Sequence, residues 1–143
     1  MKRKVIVFFT LLCTLLISLF GFACRPETEK DSKVTLIVKD GYYAVYCEES
    51  NGTDKLLDAM KDLQAEGKYT FEISGGMVVS IGGVANAVDF SKCWMLYTSD
   101  SELSNAEWGV LEYAGESYGS AVVGAEALPI KTGEYYVWAY IEF

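Results

Sequence analysis

From residue 33 onward the apolar positions recur with a period of two almost everywhere and with a helical period once. Lys33–Lys39 centres on Leu36, Ile37 and Val38 and reads as a first strand. Asp40-Gly41 is a two-residue hairpin signal, so residues 42–47, rich in tyrosine, form a second strand antiparallel to the first. After a polar loop, Leu56, Leu57, Met60 and Leu63 fall on one helical stripe, with Lys55, Asp58, Lys61 and Asp62 facing out. Thr53 or Asp54 is placed to cap this helix, and Gly67 to end it. A helix this short is stable only if its stripe packs on a sheet.

The remainder reads as strands. Residues 69–73 put Tyr69, Phe71 and Ile73 on one face. Residues 74–97 then carry two glycine pairs, Gly75-Gly76 and Gly82-Gly83, around the short strand Met77–Ile81, followed by a strand from Cys93 to Tyr97. Paired glycines mark tight bends or a ligand lying against the main chain. Residues 98–105 read as a polar loop with solvated carboxylates and residues 108–113 as a strand. Residues 114–128 are ambiguous, with 118–123 pairing weakly. Thr132-Gly133 turns the chain into a last strand over residues 134–143. On that strand Tyr135, Val137, Ala139, Ile141 and Phe143 share one face, and Tyr136, Trp138, Tyr140 and Glu142 the other. The second face is either covered, as in a two-layer packing, or an exposed aromatic strip for flat or sugar-like ligands. The order of elements predicts an α+β fold of small antiparallel β-sheets with one packed α-helix.

The start of the chain changes the picture of location. Met1-Lys2-Arg3-Lys4 is basic, residues 5–22 are almost wholly apolar, and Gly21-Phe22-Ala23-Cys24 leads into a polar run. This is the order of a secretory signal peptide over residues 1–23 rather than a retained membrane helix. Ala23 before Cys24 is similar to the bacterial lipobox, although Gly21 stands where that pattern prefers leucine. Cys24 is then the lipidation site, residues 24–32 a tether, and residues 33–143 the domain, lipid-anchored at the outer face of the membrane.

Composition narrows the chemistry. From residue 24 on, nine basic residues stand against twenty acidic ones, a net charge of −11, with no basic stripe to meet nucleic acid. The chain has no histidine. It therefore lacks the usual general base, the usual partner of a nucleophilic serine or cysteine, and the commonest transition-metal ligand. No catalytic residue and no metal site is assigned, and Glu72 and Asp89 are read as surface charges rather than a carboxylate pair. Cys47 and Cys93 are the cysteines of the domain, either bridged or reduced.

The succession TDKLLDAMKDL, YTFEI, GGMVVSIGGVAN and CWMLYTSDSE, with an aromatic strand after Thr132-Gly133-Glu134, resembles the transcobalamin C-terminal-like domain family. That family includes vertebrate cobalamin carriers and domains of unknown function on bacterial surface proteins. The resemblance covers residues 33–143. It implies two small antiparallel sheets and one helix, with a ligand-facing edge at the glycine-rich turn and nearby aromatics. By motif position these are Gly82, Gly83, Trp94 and Tyr97. Strand alternation adds Trp138 and Tyr140. The implied function is a non-catalytic surface lipoprotein binding a corrinoid or other small ligand, without a resident cofactor, in association with a transporter. The alternative is a structural or adhesion module for protein or glycan. The large helical domain of the vertebrate carriers has no counterpart here, and residues 106–123 depart from the pattern.

Overall fold

A computed structural model describes residues 31–143. The expected signal peptide, the expected lipidation at Cys24 and the expected tether up to residue 30 lie outside the described residues.

Among the described residues nine strands and one helix follow in the order β1 (Lys33–Lys39), β2 (Tyr42–Glu49), α1 (Leu56–Ala65), β3 (Phe71–Ser74), β4 (Met77–Ile81), β5 (Val84–Ala85), β6 (Lys92–Thr98), β7 (Ser104–Tyr113), β8 (Glu116–Ala121) and β9 (Tyr135–Glu142). All pairings are antiparallel. The strands make a six-stranded sheet, β1-β2-β9-β6-β8-β7, and a three-stranded sheet, β3-β4-β5. This is the α+β architecture expected from the pattern. Among the described residues no helix is long and apolar enough to cross a membrane.

Two-residue turns set the strand registers. Asp40-Gly41, Gly75-Gly76, Gly82-Gly83 and Ala114-Gly115 all hold both residues at positive φ, the backbone whose twist matches that of antiparallel strands. Gly82-Gly83 is thus the β4–β5 hairpin turn. The helix begins later than expected, at Leu56. Neither Thr53 nor Asp54 caps it; the N-cap is Lys55, whose backbone N–H donates to the Asp58 carboxylate (3.2 Å). Asn51 orders the approach, its Oδ1 accepting from the backbone N–H groups of Thr53 and Asp54 (both 2.9 Å). Gly67 ends the helix as predicted: its N–H donates to Gln64 O and that of Lys68 to Leu63 O, a Schellman pair closing the last carbonyls.

The large sheet is covered on both faces. On one, Leu56, Met60 and Leu63 of the helix and Phe71, Val78 and Ile81 of the small sheet bury Val45, Trp94, Tyr136 and Trp138. On the other, Leu111, Tyr113 and Tyr118 pack with Ala44, Val137 and Ala139. Ring contacts of Tyr113 with Tyr42 (6.0 Å) and Tyr135 (6.3 Å) bring the tip of the β7–β8 hairpin over β2 and β9, strands to which it is not paired. The bend that allows this is the register break between Asn105 and Val110. Burial of Tyr136, Val137, Trp138 and Ala139 together decides between the two readings of the last strand: the covered, two-layer one holds.

Three further expectations are corrected. The loop predicted over residues 98–105 ends at Leu103, because Ser104 and Asn105 already pair with Ala121 and Ser120. The ambiguous residues 114–128 contain a full strand, β8. Ile73 does not share the buried face of Tyr69 and Phe71, since a register shift between Glu72 and Ile73 turns it outward, 40% exposed.

Candidate functional site

β6 is paired with β9 from Lys92 to Thr98 but with β8 only at Tyr97 and Thr98. Beyond that point β8 and β6 diverge. The chain after Ala121 turns at Gly124, whose carbonyl accepts from Ala127 and Leu128 (both 3.0 Å). It then docks on the start of the helix, where Leu57 N–H donates to Ala125 O (3.0 Å) and Leu56 N–H to Leu128 O (2.8 Å). The first orphan donors of α1 are thereby satisfied within the fold. The wedge left between the parting strands is a cleft of about 510 Å³, within the size range of small-molecule sites.

Trp94 and Leu96 of β6 and Trp138 of β9 line one side; Met77 and Val78 of β4 and residues 121–126 line others. Around it Ile73, Met77, Phe90, Val123 and Phe143 remain exposed, Met77 by 60%, Phe90 by 61% and Phe143 by 74%. Half of the exposed large hydrophobic residues of the described chain thus line one cleft, a contiguous gathering unlike the scattered single exposures of an ordinary surface.

The Trp94 wall is rigidly held. Its indole Nε1–H donates to Val84 O (2.7 Å) and its backbone N–H to Asn86 Oδ1 (2.8 Å). Asn86 Nδ2 in turn donates to Val78 O (3.3 Å). Tyr43 meets the Trp94 ring edge-on at 5.6 Å, and Tyr140 packs on it at 5.2 Å. Trp138 is 5% exposed, and its Nε1–H is a buried donor with no protein partner.

Of the six residues the sequence assigned to ligand contact, the structure brings Trp94 and Trp138 into the cleft. Tyr140 touches Trp94 but stays out of the lining, its hydroxyl donating to Ala85 O (2.9 Å). Gly82 and Gly83 form a turn away from the cleft. The expected approach of a ligand to the Gly82 main chain is replaced by Tyr43: a Cβ at Gly82 would lie 2.0 Å from the Tyr43 hydroxyl oxygen. Tyr97 belongs to the opposite face of the large sheet, with Ala44 and Leu111. Its hydroxyl is pushed up from the ordinary tyrosine range by burial.

The two domain cysteines are free, Cys47 buried and Cys93 half-buried at the cleft. The bridged alternative is excluded by the sheet. Cys47 N–H bonds Glu134 O, just before β9, whereas Cys93 stands opposite Ile141 near its far end. Seven residues of strand separate these points, roughly 23 Å at about 3.3 Å per residue, where a disulfide needs Cα atoms within about 7 Å.

The cleft lining has one charged residue, Glu126. Asp89 lies outside the lining and is engaged by Ser91, whose hydroxyl (2.7 Å) and backbone N–H (3.1 Å) both donate to its Oδ1 and hold its carboxyl below the usual range. Among the described residues no cluster of three or more Cys, Asp or Glu is placed to hold a metal ion. The arrangement can bury apolar surface and orient it; what sequence reasoning missed is mostly rim, Met77, Phe90, Val123 and Phe143. The one available signal was apolar Val88 and Phe90 in an otherwise polar connection.

No family model, curated protein or solved structure matches the chain.

Proposed function

We propose that residues 33–143 are a non-catalytic binding module of the transcobalamin C-terminal-like kind, held outside the membrane by a lipid on Cys24. The observation that carries this reading is the cleft between β6 and residues 121–126, apolar, walled by Trp94 and Trp138 and rimmed by exposed Met77, Phe90 and Phe143. The absence of histidine from the chain weighs against acid–base chemistry at neutral pH. The ligand class suggested by the resemblance is a corrinoid. A cleft of about 510 Å³ would take one apolar edge of so large a molecule, leaving the remainder to a partner such as a membrane transporter.

The test is titration of the soluble domain with cobalamin and cobinamide, read by calorimetry and by tryptophan fluorescence. Saturable heat and quenching are expected, and Phe90→Asp should abolish both while leaving the fold intact, because Phe90 is 61% exposed. No heat up to millimolar ligand would sink the corrinoid reading. The adhesion reading draws on a separate feature, the edge strand β7, which exposes Trp108 by 63% and Val110 by 51%. Loss of cell-surface attachment on Trp108→Ser, with no effect of Phe90→Asp, would favour it.

A further inference from the structure

We propose that the cleft selects hydrophobic cations, with Glu126 as the residue that sets this preference. The inference rests on the cleft being the binding site and adds the charge class of what enters it. Glu126 is the one charged side chain of the lining. It leans across the mouth: a Cβ at Gly76, in the β3–β4 turn, would lie 3.5 Å from Glu126 Oε2. The carboxylate therefore reaches from the 121–126 wall to the opposite one. It takes part in none of the ion pairs of the described residues. No lysine lines the cleft, and Lys92, on β6, is paired with Glu142 at 2.8 Å.

This arrangement discriminates by charge. An apolar body seated in the cleft strips water from the carboxylate at its mouth. A neutral ligand leaves that loss uncompensated, and an anion adds repulsion. A cation beside Glu126 replaces the lost water with an ion pair, and the indoles of Trp94 and Trp138 are the aromatic rings best suited to a positive charge. The described residues carry eighteen acidic and seven basic side chains, a net charge of −11. Their field draws cations toward the cleft before contact.

Three probes with one apolar body isolate the charge: n-octyltrimethylammonium, 1-octanol and n-octyl sulfate, below micellar concentrations. Binding is measured by tryptophan fluorescence and calorimetry at low and physiological ionic strength. The cation should bind about tenfold more tightly than octanol, and octyl sulfate most weakly, with the preference shrinking as salt screens it. Glu126→Gln should cut the cation's advantage over octanol from about tenfold to about threefold, leaving what the indoles and the overall negative field supply. Glu107→Gln, the same charge change on β7 outside the cleft, should leave the preference in place. Equal binding of all three probes would overturn the charge inference while sparing the cleft as a site. Equal effects of Glu126→Gln and Glu107→Gln would overturn the role of Glu126. Binding of none would remove the cleft itself, and this inference with it.

Discussion

Gly82 shows how a residue can be singled out by sequence for one reason and be required for another. Its doublet with Gly83 marks either a tight bend or a main chain bared for a ligand; the bend is there, and the space over Gly82 is filled by the Tyr43 ring. With φ at +59°, an alanine methyl there would stand 2.9 Å from Tyr43 Cζ. Gly83, at φ +82°, faces open space. Gly82→Ala should therefore cost about 2–4 kcal/mol, left-handed strain plus displacement of a packed ring. Gly83→Ala should cost only the strain, about 1 kcal/mol. Urea unfolding of the two variants checks this; equal losses would mean Tyr43 yields freely. A second residue sets a pH limit. Tyr136 is buried, donates its hydroxyl to Pro129 O (3.2 Å) and accepts from Lys131 N–H (2.8 Å). Burial pushes its hydroxyl up to about 12. The unfolded chain releases this proton near pH 10, so the folded state binds more protons between about 10 and 12, and stability falls with rising pH in that window. Tyr69, also raised by burial, adds to the same slope. Thermal melts of the native chain and Tyr136→Phe at pH 8 to 12 should show the shallower decline in the variant; parallel curves would contradict it.

At the level of elements, what the sequence announced well was whatever local chemistry decides. Asp40-Gly41 and the two glycine pairs are hairpins because only such residues adopt two successive positive φ values without strain, and Gly67 ends the helix for the same reason. Ala114-Gly115 makes the same turn, but alanine at φ +54° gives no such signal, and β8 shows in the sequence only as weak pairing over residues 118–123. Small residues Gly119, Ser120 and Ala121 blur the alternation of β8 further; Gly119 is small because an added Cβ would meet the Ala106 N and Asn105 C atoms at 3.2 Å. That requirement comes from the neighbouring strand and leaves no local mark. Asn86 is a comparable case: it reads as a turn residue, but its side chain ties β4 to β6 across β5 through Val78 O and Trp94 N–H. Asn86→Ala removes both bonds and leaves the Trp94 amide without its partner, a loss of about 1–3 kcal/mol. Hydrogen exchange should localise the change, with the Trp94 amide losing protection while those of β2 retain it. Unchanged protection at Trp94 would mean that another group takes over.

For the molecule as a whole, the site was legible only in part, because a cleft between diverging strands belongs to no single stretch of sequence. Trp94 is marked by its motif position and Trp138 by strand alternation. That they share a cavity depends on how β8 leaves β6 after two residue pairs, whereas Tyr97, three residues on from Trp94 along β6, faces the other core by strand alternation alone. The same geometry assigns the two cysteines opposite behaviour. Cys47 is fully buried beside the helix, and burial pushes its thiol up; alkylation there requires the core to open. Cys93 lines the cleft and its thiol makes only a long contact to Phe90 O (3.5 Å). Because the thiolate is the reactive form and access controls its rate, iodoacetamide should label Cys93 in the native protein and Cys47 only on the timescale of unfolding. Peptide mass mapping after timed quenching distinguishes the two. Octyltrimethylammonium, by filling the cleft, should slow Cys93 labelling without affecting Cys47. Comparable native rates at both cysteines would show that the core opens readily, and undiminished labelling of Cys93 at saturating probe would place the bound probe elsewhere on the surface.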